Sequence, residues 1–251
     1  READVEEYVR LLQASGDANA STARRLAAIR MMHNFLLAED RRRDNPTARI
    51  EGVKVPGGVP KPLSLDEVNA LLEAMVGDSA TEMRDRALVE FLYATGARIS
   101  EACDLNLDDL DLSSRVVRLF GKGSKERVVP VGGRACDALT TYLSAGRPGL
   151  VRTHTGSHVF LNHHGRPISR VAVWMIVKKH ARRAGIPDTV KPHALRHSCA
   201  THMLVHGADL RVVQELLGHA SVSTTQIYTR VDNEVLYEMY REAHPRARAT
   251  R

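Results

Sequence analysis

From Ala20 to about Glu39 apolar side chains recur at Leu26, Ile29, Met32 and Leu36, the three-to-four spacing that lays one stripe along a helix, with Ser21 placed to cap it. The run before it, Arg1 to Tyr8, alternates acidic and apolar residues as an amphipathic helix does. The pattern then breaks at Arg41 to Pro46, and again at Val55 to Pro62, where proline and glycine are too dense for helix or central strand. This predicts a helical segment over 1–54, an interdomain linker over 55–62 and a second domain over 63–251. Ser64 and Glu67 form a capping box that opens the second domain, and a helix is predicted from Arg84 to Ala94, stopped at Thr95 and Gly96. Between Arg115 and Val131 the period changes to that of strands on either side of a glycine turn, a hairpin. Helix returns afterwards, with ends expected at Gly207 and Gly218, a cap at Asp209, and a further capping box at Ser223 and Gln226. There is no internal repeat.

Charge changes the picture modestly. Lys and Arg number 36 against 30 Asp and Glu in 251 residues, which favours an anionic partner without identifying one. Aromatic residues are only 4% of the chain, too few for a platform that stacks single-stranded bases, so a duplex held by its phosphates fits better. The three cysteines, Cys103, Cys136 and Cys199, are odd in number and far apart. They suggest neither a disulfide framework nor a cysteine metal site, and a reducing cytoplasm is expected. No apolar run approaches the roughly 20 residues of a membrane span.

The candidate chemistry lies in an ordered series: Arg98, Lys122, His193, Arg196, His219 and Tyr228. A phosphodiester undergoing exchange gathers negative charge on its non-bridging oxygens, and the arginine fork offers two parallel charge-assisted hydrogen bonds at any working pH. Three residues, nearly one helical turn, put His193 and Arg196 on one face. Tyr228, with an ordinary pKa near 10, needs its proton removed or its anion stabilised before it attacks; nearby cations do the second and His193 could do the first. Lys122, in a glycine turn, is placed to protonate a leaving oxygen. Arg24, Arg30, Lys125 and Arg127 are candidate contacts to the DNA backbone. His193 with His197, and His202 with His206, have the spacing of paired zinc ligands on a helix. Successive pairs drift around the helix, however, and Lys191 to His206 holds no acidic residue to complete a site. No phosphate-cradling nucleotide loop is present, so neither metal nor cofactor is expected.

The segments Ala94-Thr-Gly-Ala-Arg98-Ile-Ser-Glu101, Gly121-Lys122-Gly-Ser-Lys-Glu-Arg127, His193-Ala-Leu-Arg196-His-Ser, Gly207 to His219 and Thr224-Thr-Gln-Ile-Tyr228 together closely resemble the tyrosine recombinase (lambda integrase) family, and within it the Xer-type recombinases. The resemblance implies a mainly α fold with a small antiparallel β-sheet, a tyrosine recombinase catalytic domain preceded by a partial, all-helical core-binding domain. That first segment corresponds to about half of the family's usual DNA clamp.

Carried over by position, the resemblance makes Tyr228 the nucleophile of a 3′-phosphotyrosyl intermediate. Arg98, Arg196 and His219 would hold the scissile phosphate, His193 would assist proton transfer and Lys122 would serve as general acid, with neither metal nor ATP. It further implies double-stranded DNA as substrate and a homo- or hetero-tetramer on it, with a second, similar recombinase and a septal DNA translocase such as FtsK as partners. Asn233 to His244 resembles the family's final helix, expected to dock on a neighbouring subunit. Resolution of chromosome dimers is the implied role. A phage or mobile-element integrase, a type IB topoisomerase and an architectural DNA-binding protein are the alternatives.

Overall fold

The computed structural model describes residues 1–55, 62–121, 126–187, 190–218 and 230–248. The chain divides into two compact units, Arg1–Val59 and Pro60–Arg251. In the first, α1 (Glu2–Ala14) and α2 (Asn19–Ala38) pack together, with Val5, Leu26 and Ile50 buried and Val9, Ile29 and Val53 against them. Helix α2 begins earlier than its apolar stripe suggested. Ser21 therefore lies within its first turn, and the cap position is Ala18, which offers no side-chain acceptor. The inward stripe runs through Thr22, Leu26, Ile29, His33 and Leu36, steps of four and three. Met32 falls about 100° away from it and is 51% exposed. Arg24 is exposed, whereas Arg30 turns back to donate a hydrogen bond to the Ile50 carbonyl.

In the second unit, α3 (Leu65–Glu73) starts at the expected capping box. Glu67 N donates to Ser64 Oγ at 3.1 Å, and Ser64 N donates to Glu67 Oε2 at 2.7 Å. Helix α4 (Ala80–Thr95) begins a turn before Arg84 because Ser79 and Glu82 form another capping box. Every residue from Ala87 to Thr95 is buried, so α4 is the axis around which the others pack; its Phe91 and Tyr93 each contribute about 1.5–3 kcal/mol by burial. It ends at Gly96 in the left-handed conformation, φ 58°, where any side chain would also strike Leu217.

After α5 (Ile99–Cys103) come three antiparallel strands in chain order: β1 (Leu110–Asp111), β2 (Val116–Phe120) and β3 (Glu126–Pro130). The hairpin runs in register from Val116↔Pro130 to Phe120↔Glu126. Val117 and Leu119 point into the core while Arg118 and Phe120 face out. The two-residue β1 carries no alternation that sequence could have shown. Helices α6 (Gly133–Thr141), α7 (Arg147–Leu150), α8 (Arg170–Arg183), α9 (Pro192–Val205), α10 (Leu210–Leu217) and α11 (Arg230–Ala243) complete the unit.

The end of α11 closes on its own domain. Tyr240 is buried and its hydroxyl donates to the Ala94 carbonyl at 3.0 Å. The His244 ring stacks on Tyr240 and meets the Tyr93 ring at a tilt. Arg246 forms a buried ion pair with Glu90, its Nε 2.8 Å from Oε2. Gly133 N donates to the Ala247 carbonyl at 2.7 Å. Within the stretch 233–244, Tyr240, Ala243 and His244 have their partners within this chain.

Candidate active site

Three arginines from three elements converge on the carboxyl end of α10. The last carbonyls of a helix have no partner within it and form the negative end of its dipole, so cations are favoured there. Arg127 on β3 donates from Nε to the Leu216 carbonyl at 2.9 Å. Arg196 on α9 donates from Nη2 to the Leu217 carbonyl at 2.6 Å and from Nη1 to the Gly96 carbonyl at 2.5 Å. Arg98, the N-cap of α5, donates from Nη2 to the Gly218 carbonyl at 3.2 Å. Local structure sets each up: the left-handed turn at Gly96 delivers Arg98, and Pro192 at the first position of α9 starts the helix one turn before Arg196.

Glu101 lies beneath this cluster with its side chain only 2% exposed. Its carboxylate accepts from Arg127 Nη1 and Nη2, both at 2.8 Å, from Arg98 Nη1 at 2.9 Å and from the Arg98 backbone N–H at 2.8 Å. Burial alone would raise its pKa, but the hydrogen bonds of Arg127 and Arg98 and the charge of Arg127 outweigh that and hold it below the usual carboxylate range. Burial, and then the charges of Arg98 and Arg127, bring Arg196 down to about 10, still protonated at neutral pH. One carboxylate among three guanidiniums leaves an excess of positive charge, with the 40%-exposed Arg98 side chain at its edge. His193 is exposed beside it. Burial of part of its ring and the charges of Arg196, His197 and Arg98 depress its pKa, so at neutral pH it is an uncharged imidazole able to accept a proton.

The structure thus brings together Arg98 and Arg196 of the sequence candidates, with His193 one turn from Arg196 on α9. Lys122, Lys125, His219 and Tyr228, with Ser223 and Gln226, lie outside the described residues. Arg127, read from sequence as a DNA contact, is instead committed inward. Its side chain is 12% exposed and its donors serve Glu101 and Leu216. Glu101 is the member that sequence reasoning quoted but gave no role; the available signal was an acid three residues after Arg98 at a helix start. Of the histidine pairs, His202 Nδ1 lies 2.7 Å from the Tyr93 hydroxyl and His206 Nδ1 lies 2.6 Å from the His202 carbonyl. Among the described residues no group of three or more His, Cys, Asp or Glu is arranged to hold a metal, and no helix is long and apolar enough to cross a membrane.

Residues 61–234 match the phage integrase family. The chain is 49% identical over 253 residues to tyrosine recombinase XerD of Bifidobacterium longum, covering 98% of this chain and 82% of that one. It is 47% identical over 240 residues to XerD of Halalkalibacterium halodurans, covering 96% and 80%. Among solved structures, XerA recombinase superposes with a TM-score of 0.59 at 31% identity, over 98% of this chain and 84% of that one. XerH bound to a palindromic difH substrate, a post-cleavage complex, gives 0.73 at 25% identity over 96% and 72%. The chain belongs to the phage integrase family. Within that family it is a Xer-type tyrosine recombinase, a site-specific recombinase that cleaves and rejoins DNA.

Proposed function

We propose that this recombinase acts through Tyr228, whose hydroxyl oxygen attacks the scissile phosphorus as the bond to the 5′-oxygen breaks, leaving a 3′-phosphotyrosyl link and a 5′-hydroxyl. His193 takes the tyrosine proton, Lys122 gives a proton to the departing oxygen, and Arg98, Arg196 and His219 hold the phosphate. The arrival of Arg98 and Arg196 on consecutive carbonyls at the end of α10, immediately before His219, is the observation that carries this reading. The covalent link conserves the phosphodiester energy, so rejoining needs no nucleotide. The segment over 1–54 is read as part of the DNA clamp and 55–62 as the linker. The substrate is duplex DNA bound by four recombinase protomers, of one or two kinds. The XerD relatives favour resolution of chromosome dimers during partition and cell division, with a septal translocase such as FtsK as activator.

The test is to recover DNA covalently attached to the protein from cells and sequence it. Adducts at one short, recurring site are expected from the native protein and none from Tyr228→Phe. Adducts scattered without a site would favour a topoisomerase, and adducts surviving in the Phe variant would move the nucleophile elsewhere.

A further inference from the structure

We infer that Arg127 is a positioning residue that holds the β2–β3 hairpin, Arg98 and the end of α10 in one register. The inference rests on the reading of Tyr228, Lys122 and Arg98 given above. Arg127 sits opposite Leu119 in the hairpin, five residues after Lys122 in sequence. Its two terminal nitrogens meet both oxygens of Glu101, and its Nε meets the Leu216 carbonyl. Through Glu101 it fixes Arg98, because the same carboxylate receives the Arg98 side chain and backbone N–H. Through Leu216 it fixes the turn of helix that leads into His219. Its guanidinium also lies against Gly218, where an added Cβ would meet Arg127 Nη1 at 3.2 Å and Nε at 3.3 Å.

An arginine that reads phosphate needs donors to spare; Arg127 has Nε, Nη1 and Nη2 all engaged by Leu216 and Glu101. Reaching DNA would leave Glu101 a buried carboxylate with Arg98 as its remaining ion-pair partner, drawing Arg98 toward the acid and away from a phosphate. The consequence of losing Arg127 is therefore misplacement of groups that remain present. Displacements of about 1 Å in such a site cost on the order of 100-fold in rate, whereas a lost phosphate contact costs affinity and lowers the salt dependence by about 0.9 in slope.

Arg127→Gln, Arg127→Lys and the double variant Arg127→Gln/Glu101→Gln are compared with the native chain on a nicked duplex carrying the target. Duplex affinity at several salt concentrations and the rate of covalent adduct formation at saturating DNA are measured for each. Arg127→Gln is expected to bind duplex within about threefold of native, with an unchanged salt slope, and to form adduct roughly 30–100-fold more slowly. Arg127→Lys keeps the charge that answers Glu101 but has no fork to span Glu101 and Leu216, so its rate should fall between those of Arg127→Gln and the native chain. The double variant should recover part of the rate, since the acid no longer competes for Arg98. Weakened binding with a shallower salt slope and a native rate at saturation would restore Arg127 as a DNA contact. A native rate in the lysine variant would mean that charge alone matters, and either result overturns the inference. An unfolded Arg127→Gln leaves the lysine variant, which keeps the charge, to decide it. Absence of adduct from the native chain would sink the underlying reading of Tyr228 and this inference with it.

Discussion

Arg196 Nη1 lies 2.5 Å from the Gly96 carbonyl, a hydrogen bond between residues 100 apart in sequence. It joins the end of α4 to the face of α9, and the second terminal nitrogen of the same guanidinium reaches α10. Lysine, with one nitrogen, cannot span both carbonyls. Arg196→Lys should leave one buried acceptor without a partner and lose about 1–3 kcal/mol of stability in urea denaturation. Its rate of covalent adduct formation should fall about 100–1,000-fold, as when a donor to a developing oxyanion is removed.

Glu101→Gln keeps the shape of the carboxylate and removes the charge that offsets Arg98 and Arg127. Breaking a buried pair from one side typically costs about 3–5 kcal/mol, and the midpoint of denaturation should shift accordingly. Duplex binding should persist or tighten, because the site becomes more positive. A variant as stable as the native chain would show that the two arginines do not depend on this acid.

Such long-range ties mark the boundary of what sequence made legible. The capping box at Ser64, the left-handed stop at Gly96 and the hairpin of β2 and β3 are encoded by neighbouring residues, and each forms where the pattern predicts. The inward partners of Arg127 were not legible because they are distant in sequence. Its acid lies 26 residues earlier and its carbonyl 89 residues later. Ser21 does not cap α2, which begins at Asn19 with no side-chain acceptor at its cap position, Ala18. Arg98, His193 and Arg196 were legible as a motif, but the common anchor of the two arginines at the end of α10 belongs to the folded chain alone.

The His244 ring predicts an acid-sensitive latch. Burial drives its pKa from the ordinary value down to about 3, and both nitrogens are occupied in the neutral form: Nε2 donates to the Tyr93 carbonyl at 3.3 Å and Nδ1 accepts from the Arg246 N–H at 3.2 Å. The folded state resists a proton that the unfolded chain accepts near pH 6.5. The associated stability is therefore fully present above that value and is lost as pH falls toward 3, at about 1.4 kcal/mol per pH unit. Urea midpoints measured between pH 7 and 4.5 should fall less steeply in His244→Gln than in the native chain. Parallel curves would assign the acid sensitivity to other groups.

Lys122 as general acid makes a separable prediction. An alkoxide leaves poorly without a proton, whereas a thiol with a pKa of about 8.5 leaves as the anion. Lys122→Ala should cleave ordinary target DNA very slowly and recover on a duplex with a 5′-bridging sulfur at the scissile bond, while Lys125→Ala should show no such selective recovery. Equal impairment of Lys122→Ala on both substrates would give Lys122 another task.

The closure of Tyr240, His244 and Arg246 onto α4 bears on how this protein is synthesised. A ribosome delivers α4 early, with its buried Glu90 and the Ala94 carbonyl still lacking their partners, and supplies those partners only after residue 246 has emerged. Tyr228, the proposed nucleophile, leaves the ribosome before that closure. The proposed nucleophile is therefore made before the partners of Glu90 and the Ala94 carbonyl, and sealing of the domain core waits on residues that follow it in the sequence.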